Sequence, residues 1–132
     1  MILADTHALI RLRTGDARLG AVARRALDNA LRDEEFAVSA MTFWEVAMLR
    51  SKDRLDFPED VGLWRRELLR QGLAEIPVDG EIGIRANALP DFHADPADRI
   101  IVATAQAGHR LVTGDERILA WGGNLARLDA RE

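Results

Sequence analysis

Four acidic residues stand where chemistry is easiest to build. Asp5 directly follows the apolar run Ile2-Leu3-Ala4, and Asp115 follows Leu111-Val112-Thr113. Asp98 sits just behind Asp95-Pro96, and Glu45 lies inside Met41-Thr42-Phe43-Trp44-Glu45-Val46-Ala47-Met48-Leu49. Glu45 is the most telling of them. Its neighbours one helical turn away are Met41, Thr42, Met48 and Leu49, a mostly apolar stripe, and Arg50 falls on another face. A carboxylate there loses hydration at a cost on the order of several kcal/mol unless something compensates it. The compensation must come from elsewhere in the fold, as a metal ion or as a buried arginine.

The other three have ordinary readings when taken singly. Asp5 and Asp115 suit N-caps for helices starting at Thr6 and Glu116. Asp98 occupies the third position of a helix capped by Asp95 and opened by Pro96, where a capping-box carboxylate would sit. As a set these readings are less satisfactory. Four acids converging on one region would repel one another and raise their own pKa values. A hard divalent cation with a preference for oxygen, Mg²⁺ or Mn²⁺, relieves that conflict.

The elements that must position these acids follow from hydrophobic periodicity. Ile2–Ala4 reads as a short buried strand and residues 6–13 as a helix broken at Gly15 and Asp16. Residues 18–34 carry a helical pattern, and Phe36-Ala37-Val38 is a second strand. Ser39 suits the N-cap of a helix to about Ser51. Pro58 opens a helix with Val61, Trp64, Leu68 and Leu69 on its apolar face, ended by Gly72. Ala74–Val78 is a strand whose proline puts it at a sheet edge. Helices follow over 79–89 and from Pro96 to Gly108, with a loop at 90–95 between them. Leu111–Thr113 is a strand, Asp115 starts a short helix, and Leu125–Leu128 is a last strand. Strand–helix alternation predicts an α/β fold with a central, mostly parallel sheet covered by helices. In such sheets ligands sit beyond the carboxyl ends of the strands, where these acids fall.

Composition narrows the classes. The 132 residues make one domain, 1–132, and 48 % hydrophobic content suffices for a core. The absence of cysteine excludes disulfides, thiolate metal sites and a cysteine nucleophile, and fits a cytoplasmic protein. No apolar run approaches the ~20 residues of a membrane span, and the first residues have no signal-peptide character. The net charge of −4 argues against tight, sequence-independent binding to long duplexes. All but one of the 18 basic residues are arginine, the exception being Lys52.

Four segments together resemble a known family. They are Asp5-Thr6-His7-Ala8-Leu9, Ser39-Ala40-Met41-Thr42-Phe43-Trp44-Glu45-Val46, His93-Ala94-Asp95-Pro96-Ala97-Asp98-Arg99 and Val112-Thr113-Gly114-Asp115. In order and spacing they are similar to the PIN-domain ribonucleases, above all to the toxin half of VapBC-type toxin–antitoxin pairs. The resemblance implies a PIN-like three-layer α/β/α sandwich and Mg²⁺- or Mn²⁺-dependent cleavage of RNA. It carries the acidic role onto Asp5, Glu45, Asp98 and Asp115. Asp5 and Asp98 would hold the metal, with Glu45 and Asp115 acting directly or through water. Thr6 and Thr113 match the family's motifs as supporting residues. It also implies a cognate antitoxin partner and assembly as a homodimer or as a hetero-oligomer with that antitoxin. Arg11 and Arg13 depart from the more apolar first helix usual in such toxins.

Three further residue readings are expectations. Arg99 would touch phosphate or form an exposed salt bridge. The cluster Arg50, Lys52 and Arg54 would flank RNA or be solvated surface. His7, His93 and His109 carry no assigned role. Two other enzyme or receiver classes also place an aspartate after a first strand. An aspartyl-phosphate-type phosphatase wants a second acid two residues on, where His7 stands. A phospho-receiver domain wants a lysine on a late strand, and Lys52 is the only lysine. A non-catalytic acidic metal-binding module is the remaining alternative.

Overall fold

In the computed structural model the described residues are 1–54 and 60–132. Five short strands carry the sheet: β1 (Ile2–Ala4), β2 (Phe36–Ser39), β3 (Ala74–Ile76), β4 (Arg110–Thr113) and β5 (Arg127–Asp129). Their order is β3-β2-β1-β4-β5, and each neighbouring pair is parallel. The expectation of a mostly parallel sheet holds for every pair. β3 lies at the edge, as Pro77 immediately after it requires.

Alternation along the strands sorts the core into two layers. Ala4, Phe36, Val38 and Val112 join one buried cluster, while Leu3, Ala37 and Leu111 join the other. The first cluster is completed by helices α1 (Thr6–Thr14), α2 (Ala21–Arg32), α3 (Ala40–Ser51) and α4 (Val61–Arg70). The second is completed by α6 (Pro96–Gln106) and α7 (Glu116–Ala120), with Leu89 and Phe92 from the turn after α5 (Gly80–Asn87). This is the three-layer α/β/α arrangement, and it leaves the carboxyl ends of β1 and β4 side by side in the middle of the sheet.

Helix ends follow local chemistry. Asp5, Ser39, Asp60, Asp79, Asp95 and Asp115 all cap helices through their side chains. α1 stops at Gly15, whose φ of 69° takes the left-handed cap conformation. α2 is shorter than its periodic pattern. It begins after Gly20 because the Glu132 carbonyl oxygen accepts from the Val22 and Ala23 N–H groups there. A Cβ on Gly20 would lie 2.0 Å from the Glu132 carbonyl carbon, so only glycine permits that approach. β5 is displaced by two residues from the apolar stretch Leu125–Leu128. Arg127 enters the strand because its guanidinium donates to the Ile118 and Trp121 carbonyls, at 2.6 and 2.8 Å, closing the end of α7. The helix start expected at Pro58 lies outside the described residues.

Candidate active site

Asp5 is placed by two neighbours at once. Its backbone N–H donates to the Val112 carbonyl at 3.0 Å, which fixes the end of β1 against β4. Its Oδ1 accepts from the Ala8 N–H at 2.8 Å, the N-cap of α1, and its Oδ2 accepts from the Thr113 hydroxyl at 2.6 Å. The capping and site readings of Asp5 are thus compatible, one oxygen serving each. Thr113 is fully buried, and its hydroxyl oxygen also accepts from the Asp115 N–H at 3.1 Å. One threonine therefore ties the two strand ends and their two acids together.

Asp98 enters from α6. Its N–H donates to Asp95 Oδ1, so Asp95 is the cap. Its carboxylate meets His93 Nε2 at 2.7 Å, with Arg117 Nη2 at 3.6 Å. Asp115 caps α7 through Oδ1, accepting from the Arg117 and Ile118 N–H groups, and its Oδ2 lies 3.3 Å from Arg117 Nη2. Arg117 thus spans two acids from different helices. Asp5, Asp98 and Asp115 line one cleft of about 180 Å³ together with Thr6, His7, Arg11 and Gly114.

Glu45 is not among the residues that line this cleft, although Thr6 is. Glu45 is 9 % exposed, and the Thr6 hydroxyl is within hydrogen-bonding reach of its carboxylate. The Thr6 and Thr42 hydroxyl oxygens also hydrogen-bond each other, 3.1 Å apart. Among the described residues no arginine forms an ion pair with Glu45. Among the described residues Asp5 likewise has hydrogen bonds but no cationic ion-pair partner.

The electrostatics follow. Burial pushes the Asp5 carboxyl up; the bonds from Thr113 and Ala8 and the charge of His7 pull it back, while Asp115 adds to the rise. Burial also raises Glu45, against the Thr6 bond and His7, with Asp98 and Asp95 repelling it. Asp98 is raised by burial against the His93 bond, and Asp95 and Asp115 push it further. Asp115 is the exception: burial would raise it, but Arg117 and the two helix N–H groups hold it below its ordinary value.

The donor set is all oxygen, partly buried and self-repelling, which is the chemistry that suits a hard divalent cation. Asp5, Asp98 and Asp115, the acids that line the cleft, are the ones that would hold such an ion. Among the described residues no three His, Asp or Glu side chains already form a closed ligand set. Protein donors, chiefly Thr113, His93 and Arg117, hold the carboxylate oxygens instead.

Two residues went unrecognised in the sequence. His93 contacts Asp98 directly and stacks on Phe92 at 4.3 Å between ring centroids. Its signal was its place five residues before Asp98, across a turn tightened by Pro96. Arg117 had only its place two residues after Asp115.

Among the described residues Arg99 forms no salt bridge; its guanidinium donates instead to the carbonyls of Ala86 (3.0 Å), Phe92 (2.6 Å) and His93 (2.9 Å). It buckles the 88–95 turn to α6. Within the basic cluster, Arg54 lines a separate cavity of about 490 Å³ with Arg11, Arg18 and His7. Arg11 and His7 also border the carboxylate cleft, so the two cavities adjoin.

Comparison with known proteins agrees with this fold. The PIN domain family model matches residues 2–123. Ribonuclease VapC22 of Mycobacterium tuberculosis is 34 % identical over 119 residues, covering 89 % of this chain and 88 % of that protein. Among solved structures, a toxin–antitoxin complex from Klebsiella pneumoniae is similar with a TM-score of 0.65 at 23 % identity, and 98 % of each chain is covered. VapBC2 from Rickettsia felis, bound to a promoter DNA fragment, is similar with a TM-score of 0.69 at 14 % identity over 98 % of each chain. The chain belongs to the PIN-domain family.

Proposed function

We propose that this protein is a divalent-metal-dependent endoribonuclease that hydrolyses RNA phosphodiester bonds, and the toxin half of a toxin–antitoxin pair. One observation carries the nuclease reading. Acids from β1–α1, α6 and the β4–α7 turn line a single cleft, backed by a buried Glu45 that has no ion-pair partner among the described residues. The relative named as a ribonuclease and the toxin–antitoxin complexes of similar fold support the substrate and the partner.

A bound Mg²⁺ or Mn²⁺ would supply Lewis acidity, making water a usable nucleophile near neutral pH and offsetting the negative charge of the phosphate. The chain's residues do the rest. Thr113 and the Ala8 N–H hold Asp5 in one rotamer, and His93 holds Asp98. Thr6 orients Glu45. Arg11 at the cleft wall and Arg54 beyond it offer cations to the RNA backbone on one side, and Arg117 does so on the other. This resolves how a chain of net charge −4 receives a polyanion: the acids face the metal while arginines line the approaches.

The test is cleavage of single-stranded RNA by purified protein with Mg²⁺ or Mn²⁺, with EDTA as the control. Asp98→Asn, which preserves size and the His93 contact, is expected to lower the rate at least a hundredfold while leaving the fold unchanged. Expression of the wild-type chain alone is expected to arrest growth, and the variant is not. Undiminished RNA cleavage by well-folded Asp98→Asn refutes the mechanism. Turnover of a small phosphate monoester in place of RNA moves the protein to the phosphatase class.

A further inference from the structure

Arg99 follows Asp98 directly in α6, yet the two side chains go to different places. Successive helical residues point about 100° apart. Asp98 lines the carboxylate cleft, and Arg99 turns instead to the irregular 88–95 segment that precedes the helix. Side chains secure the carbonyls of that segment. The Trp121 Nε1–H takes that of Pro90 at 2.8 Å, and Arg99 takes those of Phe92 and His93.

All three guanidinium nitrogens are engaged. Nε donates to the His93 carbonyl at 2.9 Å, Nη2 to that of Phe92 at 2.6 Å and Nη1 to that of Ala86 at 3.0 Å. The cation also lies over the Phe92 ring, 5.7 Å from its centroid, and Phe92 stacks on the His93 imidazole at 4.3 Å. Arg99 therefore holds His93 twice: by its carbonyl and, through Phe92, by its ring.

That ring is the tighter of two partners on Asp98. Its Nε2 lies 2.7 Å from Oδ2, and for an ionised carboxylate the proton of that bond sits on Nε2. The second contact reaches the same oxygen from Arg117 Nη2 at 3.6 Å. It comes from a side chain that is 60 % exposed and shared with Asp115, so it restrains the rotamer less. Residues 93, 98 and 99 thus close a cycle. The helix backbone joins Asp98 to Arg99, the guanidinium reaches the His93 carbonyl, and the imidazole returns to the Asp98 carboxylate. Each member's place is set by the other two.

We propose that Arg99 is a positioning residue for the acid cleft, acting through His93 to hold Asp98 in the rotamer that meets the divalent cation. This rests on the metal-dependent ribonuclease reading and extends it, by assigning a part in cation binding to a residue that does not line the cleft. Partners that orient a metal ligand typically contribute about tenfold to a hundredfold in affinity, and a residue one step further out belongs at the low end. Two other accounts of Arg99 predict differently. Carbonyl satisfaction alone affects stability and leaves cation affinity unchanged. Charge alone has the opposite sign, since removing a cation beside the acids tightens the binding of another.

The test uses Arg99→Lys, which keeps the charge and loses the planar fork. Mn²⁺ affinity is read by electron paramagnetic resonance on protein whose near-ultraviolet circular dichroism is native. It is expected to fall about fivefold to tenfold in Arg99→Lys, and to fall also in Arg99→Met, where charge alone would raise it. His93→Phe removes the donor to Asp98 and keeps an aromatic ring against Phe92. In that background Arg99→Lys should cause no further loss. A second readout needs no metal. The His93 Nε2–H resonance, assigned from the imidazole couplings of labelled histidine, should be visible in metal-free wild type and broadened by solvent exchange in Arg99→Lys. A fast-exchanging, invisible Nε2–H in wild type overturns the assignment whatever the variants do. Unchanged or tighter Mn²⁺ binding by Arg99→Lys, or a loss that persists in full on His93→Phe, overturns the Arg99 assignment alone. Wild type that neither binds Mn²⁺ nor, with it, cleaves RNA overturns the reading beneath it.

Discussion

Thr113→Val removes a single hydroxyl from a residue with no solvent exposure. That hydroxyl donates to Asp5 Oδ2 at 2.6 Å and accepts from the Asp115 N–H at 3.1 Å. A hydrogen bond to a charged group contributes roughly 1.5–3 kcal/mol, and the stranded, partly buried N–H adds about 1 kcal/mol. The expected loss at neutral pH is therefore roughly 2–4 kcal/mol, a large share of the 5–15 kcal/mol typical of a domain. With a urea m-value of about 2 kcal/mol/M, the midpoint should fall by about 1–2 M.

The pH dependence sharpens the test. Burial already raises the Asp5 pKa, and the Thr113 bond opposes that rise. Without the bond the folded-state pKa climbs further above the unfolded one. A carboxyl group shifted in that direction binds its proton more tightly when folded, so it costs nothing in acid. Its cost grows as pH rises from the ordinary carboxylate range through the folded pKa. The deficit of Thr113→Val relative to wild type should be largest at pH 7 and smaller at pH 3.5. Thr113→Ser, which keeps the hydroxyl, should recover most of it. A deficit under about 0.5 kcal/mol, or one equal at both pH values, refutes this account of how Asp5 is held.

Arg99→Met strands three carbonyl oxygens, those of Ala86, Phe92 and His93. It should cost roughly 2–4 kcal/mol in chemical denaturation and increase hydrogen exchange in the 88–95 turn first. Arg99→Lys should recover little, since one ammonium cannot reproduce the planar fork. Asp5, Glu45 and Asp98 are all raised by burial, so their ionisation opposes folding increasingly as pH rises above the ordinary carboxylate range. Mn²⁺ at a hundred times its Kd should therefore stabilise the protein by about 2.7 kcal/mol at pH 7. The same Mn²⁺ concentration should do far less at pH 4, where protons compete for the acids, and equal thermal shifts at both pH values would count against these acids as the ligands.

Much of this arrangement is legible along the chain, for a physical reason. The acids sit at strand ends and helix starts, and those boundaries are written locally by apolar runs, by Pro96 and by the capping residues. Glu45 is legible because a charge on an apolar helical stripe has a free-energy cost that pattern alone reveals. The less legible parts depend on three-dimensional closure. Arg99 reads as a surface residue in sequence, yet it satisfies carbonyls six, seven and thirteen residues back. β5 begins at an arginine whose guanidinium donates to two carbonyls at the end of α7, a contact that no alternation pattern encodes. His93 lies on an irregular turn, where periodicity gives no direction for a side chain.

The same distinction explains how the site is divided. Elements that carry their own boundary signals deliver the acids, so the positions of Asp5, Asp98 and Asp115 depend on the sheet's two central strands and the helices that follow them. Side-chain contacts made by Thr113, His93 and Arg117 then fix the carboxylates' rotamers and charge. These contacts are not equivalent. Thr113 and His93 hold acids that burial keeps raised, whereas Arg117 lowers Asp115 from an exposed position. Asp115 thus stays ionised at pH values where its neighbours begin to take up protons. Arg117 and the helix N–H groups favour the charge of Asp115, whereas burial opposes the charge of Asp5 and Asp98.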